Sequence, residues 1–209
     1  MKITKLEHSG LMVENQGRVL LCDPIEIEQK LPEFINVVTI VITHEHFDHC
    51  DPNVIARIRA QNPLAKIFTT ETNVAQLTDA TAVVDGDIVN VDGFDLHFFG
   101  AEHACIVPDV MPCQNIGVVI NGCIAHPGDA FELPPEKVDL LCAPVAGPWC
   151  KTVEALDYIR TVRPRLVMPL HDAVLSRFGK RINDSWLKST AVEVGAEYRA
   201  LEVGESLEL

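Results

Sequence analysis

The sequence predicts an α/β (α+β) domain in which two mixed β-sheets pack face to face with helices on the outside. Three observations carry that prediction. Strand-like runs open the chain, β and α signals mix in both halves, and no linker or low-complexity tract divides its 209 residues. An apolar content of 47% is enough for a substantial core at this length. Periodicity alone does not settle the four-layer αββα order.

Residues 3–8, 11–14 and 19–22 are apolar-rich runs separated by Ser9-Gly10 and Asn15-Gln16-Gly17, the pattern of an antiparallel meander. The β-branched run at 37–42 reads as a central strand buried on both faces. Asp51-Pro52-Asn53 starts a helix through residue 60, with Asp51 as N-cap and Pro52 in its first turn. A strand at 66–70 and a helix at 71–77 follow. Residues 81–84, 87–91 and 94–100 read as strands between Asp-Gly turns. Residues 116–120 and 122–125 form a hairpin around Asn121-Gly122, a strong two-residue turn signal. A strand is expected at 138–142. Val153, Leu156 and Ile159 give helical spacing to 152–162, ahead of a strand at 165–168. Residues 183–194 read as a helix, and short strands finish the chain.

Seventeen Lys and Arg against 30 Asp and Glu give a formal charge of −13. That balance disfavours nucleic acid or an anionic membrane as the main partner, because phosphate binding is dominated by basic side chains. Residues 1–10 are polar, with no apolar signal core, and no apolar stretch approaches membrane-spanning length. The expected setting is cytoplasmic, and an oligomer of identical copies is compatible with the sequence. Seven cysteines, odd in number and without CxxC spacing, read as reduced and mostly buried thiols.

The densest chemistry lies in His44-Glu45-His46-Phe47-Asp48-His49, directly after the run at 37–42. On a helix His44 and His46 would point about 200° apart. A helical zinc motif would also need His at position 48, where Asp48 stands. An extended or loop backbone aims both rings the same way. Downstream, His103, Asp129 and His171 each follow an apolar strand and lie near Gly or Pro. His8 and His126 also stand at strand ends. They are candidates to bond substrate or Asp129, or else satisfied structural histidines. Arg177, Lys180 and Arg181 closely follow His171, as a clamp for phosphate or carboxylate or as a solvated basic loop. Residues 104–114 read as an apolar loop over the site, and Pro148-Trp149 as a further wall or core.

The ordered set His44-x-His46-x-Asp48-His49, His103, Gly128-Asp129 and His171 resembles the metallo-β-lactamase superfamily over nearly the whole chain. The opening residues 6–14 and Leu20-Leu21-Cys22-Asp23-Pro24 look like the branch that contains L-ascorbate-6-phosphate lactonase. Glu7 and Asp172 stand where that branch usually has Gly and often has an aromatic residue.

The resemblance implies the αββα fold and a binuclear centre. His44, His46 and His103 would hold one metal, Asp48, His49 and His171 the other, with Asp129 bridging. It also implies a metal-bridged hydroxide attacking a carbonyl or phosphoryl centre, with Asp48 and Asp129 as catalytic carboxylates. Two divalent ions are expected, zinc first, with manganese, iron or nickel as alternatives. Asp23 matches the family's Asp-Pro marker and is expected to orient a ligand. The reading is therefore a hydrolase of a small ester, lactone or phosphodiester, with anionic substrates among the options. A nuclease, a di-iron oxidoreductase and a non-catalytic metal-binding protein are the alternatives.

Overall fold

In the computed structural model, which describes residues 1–209, the opening runs form the expected meander. Strands β1 (Lys2–Lys5), β2 (Leu11–Asn15) and β3 (Arg18–Cys22) pair antiparallel. Strand β4 (Val37–Val41) adds parallel to β3 and leads into helix α1 (Pro52–Gln61). The Asp51 carboxylate caps α1 by accepting from Asn53 N at 2.8 Å, so the sequence signal acts as a cap in fact. Strand β5 (Lys66–Thr69), helix α2 (Glu71–Val74) and strand β6 (Ala80–Ala82) complete the first half.

The second half holds β7 (Ile88–Val91), β8 (Phe94–Phe99), β9 (Gly117–Ile120), β10 (Ile124–His126), β11 (Leu140–Pro144), α3 (Thr152–Val162), β12 (Leu166–Leu170), α4 (Arg177–Glu193) and β13 (Glu197–Tyr198). The last strand, β14 (Ser206–Glu208), returns to the first half. The two sheets have orders β14-β1-β2-β3-β4-β5-β6 and β13-β12-β11-β10-β9-β8-β7. Each is part antiparallel and part parallel.

Side-chain alternation explains why the sheets need cover on both faces. Leu20, Val41, Leu140 and Met168 point between the sheets, where they meet Phe94, Leu96 and Phe98. Their neighbours Leu21 and Ile40 point outward onto Val54, Ile55 and Ile58 of α1. Leu141 and Val167 point outward onto Ala155 and Ile159 of α3 and Leu187 and Ala191 of α4. Residues buried on both sides of a strand require helices outside both sheets, which is the four-layer αββα order. Each such Leu, Ile or Val side chain contributes about 1.5–3 kcal/mol on burial. No helix is long and apolar enough to cross a membrane.

Several boundaries differ from expectation. Only Glu71–Val74 of the 71–77 segment is helical; Leu77 reaches the outer core from a turn instead. The Asn121-Gly122 turn has both φ angles positive, at 50° and 64°. Its hairpin pairs Ile120 with Ile124, so Cys123 is an extra residue and β10 begins later than expected. Strand β11 is shifted two residues towards the C-terminus of its expected range. Helix α4 begins six residues early. Ser176 caps it through Gly179 N at 3.1 Å, and the exposed Phe178 and Ile182 give its first turns no buried stripe to read. Arg177 and Arg181 are therefore helical residues rather than part of a loop.

Candidate metal centre

Strands β1, β3 and β4 run in one direction, as do β8, β10 and β12 within the other sheet. The segment after each carries a singled-out side chain. His8 follows β1, Asp23 follows β3 and residues 44–49 follow β4; His103, Asp129 and His171 follow β8, β10 and β12. Carboxyl ends of like-directed strands are where α/β sheets place their sites. His8, Asp23 and His171 adopt φ of 56°, 42° and 58°, a left-handed strain that persists only where surrounding structure enforces it.

The donor atoms gather in two groups, each with its atoms within 4.8 Å of one another. One comprises His44, His46, His103 and Asp129. The other comprises His8, Asp48, His49 and His171. All seven expected ligands are thus brought together. His8, expected only as a helper, stands among the donors of the second group. Asp129 faces both groups: its Oδ2 lies 3.3 Å from His103 Nε2 and 2.9 Å from His171 Nε2, and its Oδ1 lies 3.1 Å from His49 Nε2.

A second layer turns the rings. Asp23, fully buried, accepts from Thr43 N and Thr43 Oγ1 at 2.8 and 2.7 Å and lies 2.8 Å from His49 Nδ1. His103 Nδ1 bonds the Ala104 carbonyl at 2.6 Å, and His171 Nδ1 bonds the Ala146 carbonyl. Each contact commits Nδ1 outward and presents Nε2 to the centre. His46 is turned the other way. Its Nδ1 lies 3.1 Å from His44 Nε2, while its Nε2 meets Cys113 Sγ at 3.6 Å.

The inward atoms are left without hydrogen bonds. Nε2 of His8, His49, His103 and His171 and Oδ1 of Asp129 are buried and unpartnered. Their short separations from carboxylates lie off hydrogen-bond geometry. An unsatisfied buried polar atom costs about 1–3 kcal/mol, so five at one point is a set waiting for a common partner. Imidazole nitrogens and carboxylate oxygens without thiolates suit a divalent cation such as zinc, and equally manganese, iron or nickel. The residues fit a metal.

The electrostatics agree. Burial lowers His49, but the fields of Asp129 and Asp23 overcome it and raise its imidazole to about 10. Burial raises Asp48, but its contact with His8 and the field of His49 hold it at about 2. Burial lowers His8, His44 and His46. The sign for metal-stripped protein follows. His49, raised above its ordinary 6.5, contributes stability that is complete below pH 6.5 and is lost as pH rises towards 10. His8, His44 and His46, being lowered, contribute stability above pH 6.5 that is lost as pH falls. Metal should displace the His49 proton, so loading at pH 8 should release at least about one proton. Calorimetry in buffers of different ionisation enthalpy measures it; no release would contradict the value for His49.

Gly128 lets Asp129 reach inward. Its φ is +65°, and a Cβ there would lie 2.2 Å from Asn115 Oδ1 and 2.8 Å from Thr43 Cβ. Asn115 Oδ1 accepts from Asp129 N at 2.9 Å. His126 bonds neither Asp129 nor an open cleft. Its Nε2 bonds Ser9 O at 2.8 Å, and its Nδ1 accepts from Gly128 N at 3.2 Å, so it braces the turn.

Trp149 is both wall and core, buried with its ring 5.5 Å from that of His103 and 5.4 Å from that of His171. Ile106, Val107, Val110 and Met111 of the 104–114 loop are exposed, as is Phe47. Glu7 is buried and accepts from the backbone of Ile27, Glu28 and Gln29, which anchors the segment after β3. All seven cysteines are free. Only Cys22, Cys50 and Cys142 are buried, and Cys105 is exposed, so the thiols are less buried than expected.

Arg177 and Arg181 stand apart from the donors. They line a cleft of about 830 Å³ whose wall includes His8. Sequence reasoning missed Thr43, Asn115, Cys113 and the buried pair Lys5–Asp172. Thr43 stands beside the motif; the others carry no local signal.

A family description, beta-lactamase superfamily domain, matches residues 2–171. A Mycobacterium tuberculosis protein is 33% identical over 182 residues, 84% of this chain and 86% of its own length. A UPF0173 metal-dependent hydrolase of Aeropyrum pernix is 26% identical, spanning 99% of this chain and 97% of itself. Among solved structures, a metallo hydrolase from the hyperthermophilic archaeon Ignicoccus hospitalis superposes with a TM-score of 0.76 at 21% identity. That match covers 100% of this chain and 98% of the other, and it shows the fold.

Proposed function

We infer, because this chain belongs to the metallo-β-lactamase superfamily, that it is a metal-dependent hydrolase with two divalent cations between its donor groups. The observation that carries the reading is Asp129, whose carboxylate meets imidazoles of both groups while their Nε2 atoms lack partners. Zinc is the first choice for the nitrogen and oxygen donors. When bound, such a pair lowers the pKa of a shared water towards 7 and polarises a substrate oxygen.

The chain's own residues do the rest. Asp23 and the Ala104 and Ala146 carbonyls fix the rings before substrate arrives, so no reorganisation is needed during reaction. Asp48, ionised at neutral pH and 3.3 Å from His8, is placed to accept a proton. Trp149 keeps bulk water from the inner side of His103 and His171. The substrate is a small ester, lactone or phosphodiester, and the lactone option follows from the likeness of residues 6–14 to a lactonase branch.

Metal content and turnover across ester, lactone and phosphodiester panels test this together. His46→Ala should lose metal and fall by at least about tenfold in turnover. Added metal should also stop raising its Tm. Unchanged metal in that variant, or a fully loaded protein inactive on every panel, would overturn the reading.

A further inference from the structure

We propose that Cys113 is the positioning residue for His46: its sulfur accepts from His46 Nε2 and so commits Nδ1 to the cation of the first donor group. This rests on the metal centre of the reading above, and it ties retention of one cation to a thiol outside both donor groups.

Each imidazole of the expected ligand set turns one nitrogen away from the centre, and all but one of these outer nitrogens meet oxygen. His44 Nδ1 lies 3.0 Å from Thr43 Oγ1 and His49 Nδ1 lies 2.8 Å from Asp23 Oδ2. His103 and His171 bond the Ala104 and Ala146 carbonyls. His46 is the exception. It turns Nδ1 inward, 3.1 Å from His44 Nε2, and its outer nitrogen meets sulfur, Cys113 Sγ at 3.6 Å.

The proton follows from that orientation. An imidazole that ligates through Nδ1 keeps its hydrogen on Nε2, which is then a donor. A thiol sulfur is a weak acceptor, so His46 has the weakest orienting contact of the set. It is also only half-buried, whereas His44, His49, His103 and His171 are buried and wedged by their surroundings. Rotation of the His46 ring would carry Nδ1 off the centre, and the contact with Cys113 opposes that rotation.

Backbone contacts hold Cys113 in place. Its carbonyl accepts from His103 N at 3.0 Å, Asn115 N donates to Ala101 O at 3.1 Å, and Glu102 bridges to Gln114. These contacts close the base of the 104–114 loop. Gln114 Oε1 also accepts from Thr72 N at 3.0 Å, which pins that base to α2. Cys113 thus touches His103 through its backbone and His46 through its side chain, and both belong to the first donor group. Its sulfur is not among the donor atoms of that group, so the geometry gives it an orienting role and not a ligand's.

The test is a zinc titration of metal-stripped protein in competition with a chromophoric chelator. Wild-type protein should show two binding steps. In Cys113→Ala one step should weaken by about ten- to a hundredfold while the other holds. Cys113→Asn supplies an amide oxygen for the same N–H and should recover most of that loss. Cys105→Ala, at the exposed thiol of the same loop, should change neither step. Crystals of Cys113→Ala at a limiting zinc concentration should lose the anomalous peak beside His44, His46 and His103 and keep the one beside Asp48, His49 and His171. Two unchanged steps would mean that water serves Nε2 as well as sulfur does, and would overturn the role. So would a loss that Cys113→Asn leaves unrecovered, or a weakening of both steps with a lower Tm of the stripped protein, since either assigns Cys113 to the fold alone. Wild-type protein that binds no zinc would overturn the metal centre itself, and this role with it.

Discussion

Replacing Asp129 with alanine should strip both cations and bring hydrolysis to background, a loss of at least about a hundredfold. No other side chain meets so many of the converging imidazoles. It lies within 3.3 Å of His49, His103 and His171 and 3.8 Å from His44 Nε2. Without it each group keeps three side chains or more, but the negative charge at their junction is gone. His49, raised to about 10 by Asp129 and Asp23 together, should titrate lower in the variant. Bound metal at a hundred times its Kd stabilises the native protein by about 2.7 kcal/mol, so a rise in Tm on loading should vanish in the variant. Emission spectroscopy of dialysed protein beside a melting curve reads both effects. A variant that keeps two cations would contradict the role given to Asp129.

Asp172→Ala should be the most destabilising single change outside the donor set, at about 3–5 kcal/mol. The Lys5 side chain is 2% exposed, and its ammonium has Asp172 at 3.0 Å; its other contacts are the Leu6 and His8 carbonyls at 3.4 Å. Removing the carboxylate strands a charge in the interior. Lys5→Met with Asp172→Leu removes both charges and should recover most of the loss, since a buried pair is worth little beyond its apolar replacement. Because Asp172 follows His171, whose N–H donates to the His8 carbonyl at 3.1 Å, the single variant should also loosen the second donor group. Urea denaturation of the single and double variants distinguishes these outcomes. A loss under about 1 kcal/mol for Asp172→Ala would mean that Lys5 finds another partner or water.

What could be read along the chain was whatever acts locally. The run before His44 is apolar on both sides because β4 is covered on both sides, and Asp51-Pro52 caps α1 by contacts within three residues. Helix α3 spans the residues that its apolar spacing marked. The donors in the hexapeptide are contiguous, so their chemistry is visible in six letters. His103, Asp129 and His171 were legible through strand-end position and family likeness together.

What escaped depends on distant partners. Lys5 and Asp172 are 167 residues apart, and nothing near either announces a buried pair. Cys113 matters only because its loop folds back on His46, and His126 became a brace because Ser9 O lies opposite it. Helix α4 began early because its first turns are held by a cap and by polar surface rather than by a buried stripe.

Anomalous diffraction from metal-loaded crystals tests the central claim most directly. Two peaks about 3.5–4 Å apart are expected, with Asp129 between them. His44, His46 and His103 should surround one peak, and Asp48, His49 and His171 the other. A fully loaded protein with no peak at these side chains, or with its metal bound elsewhere, would contradict it.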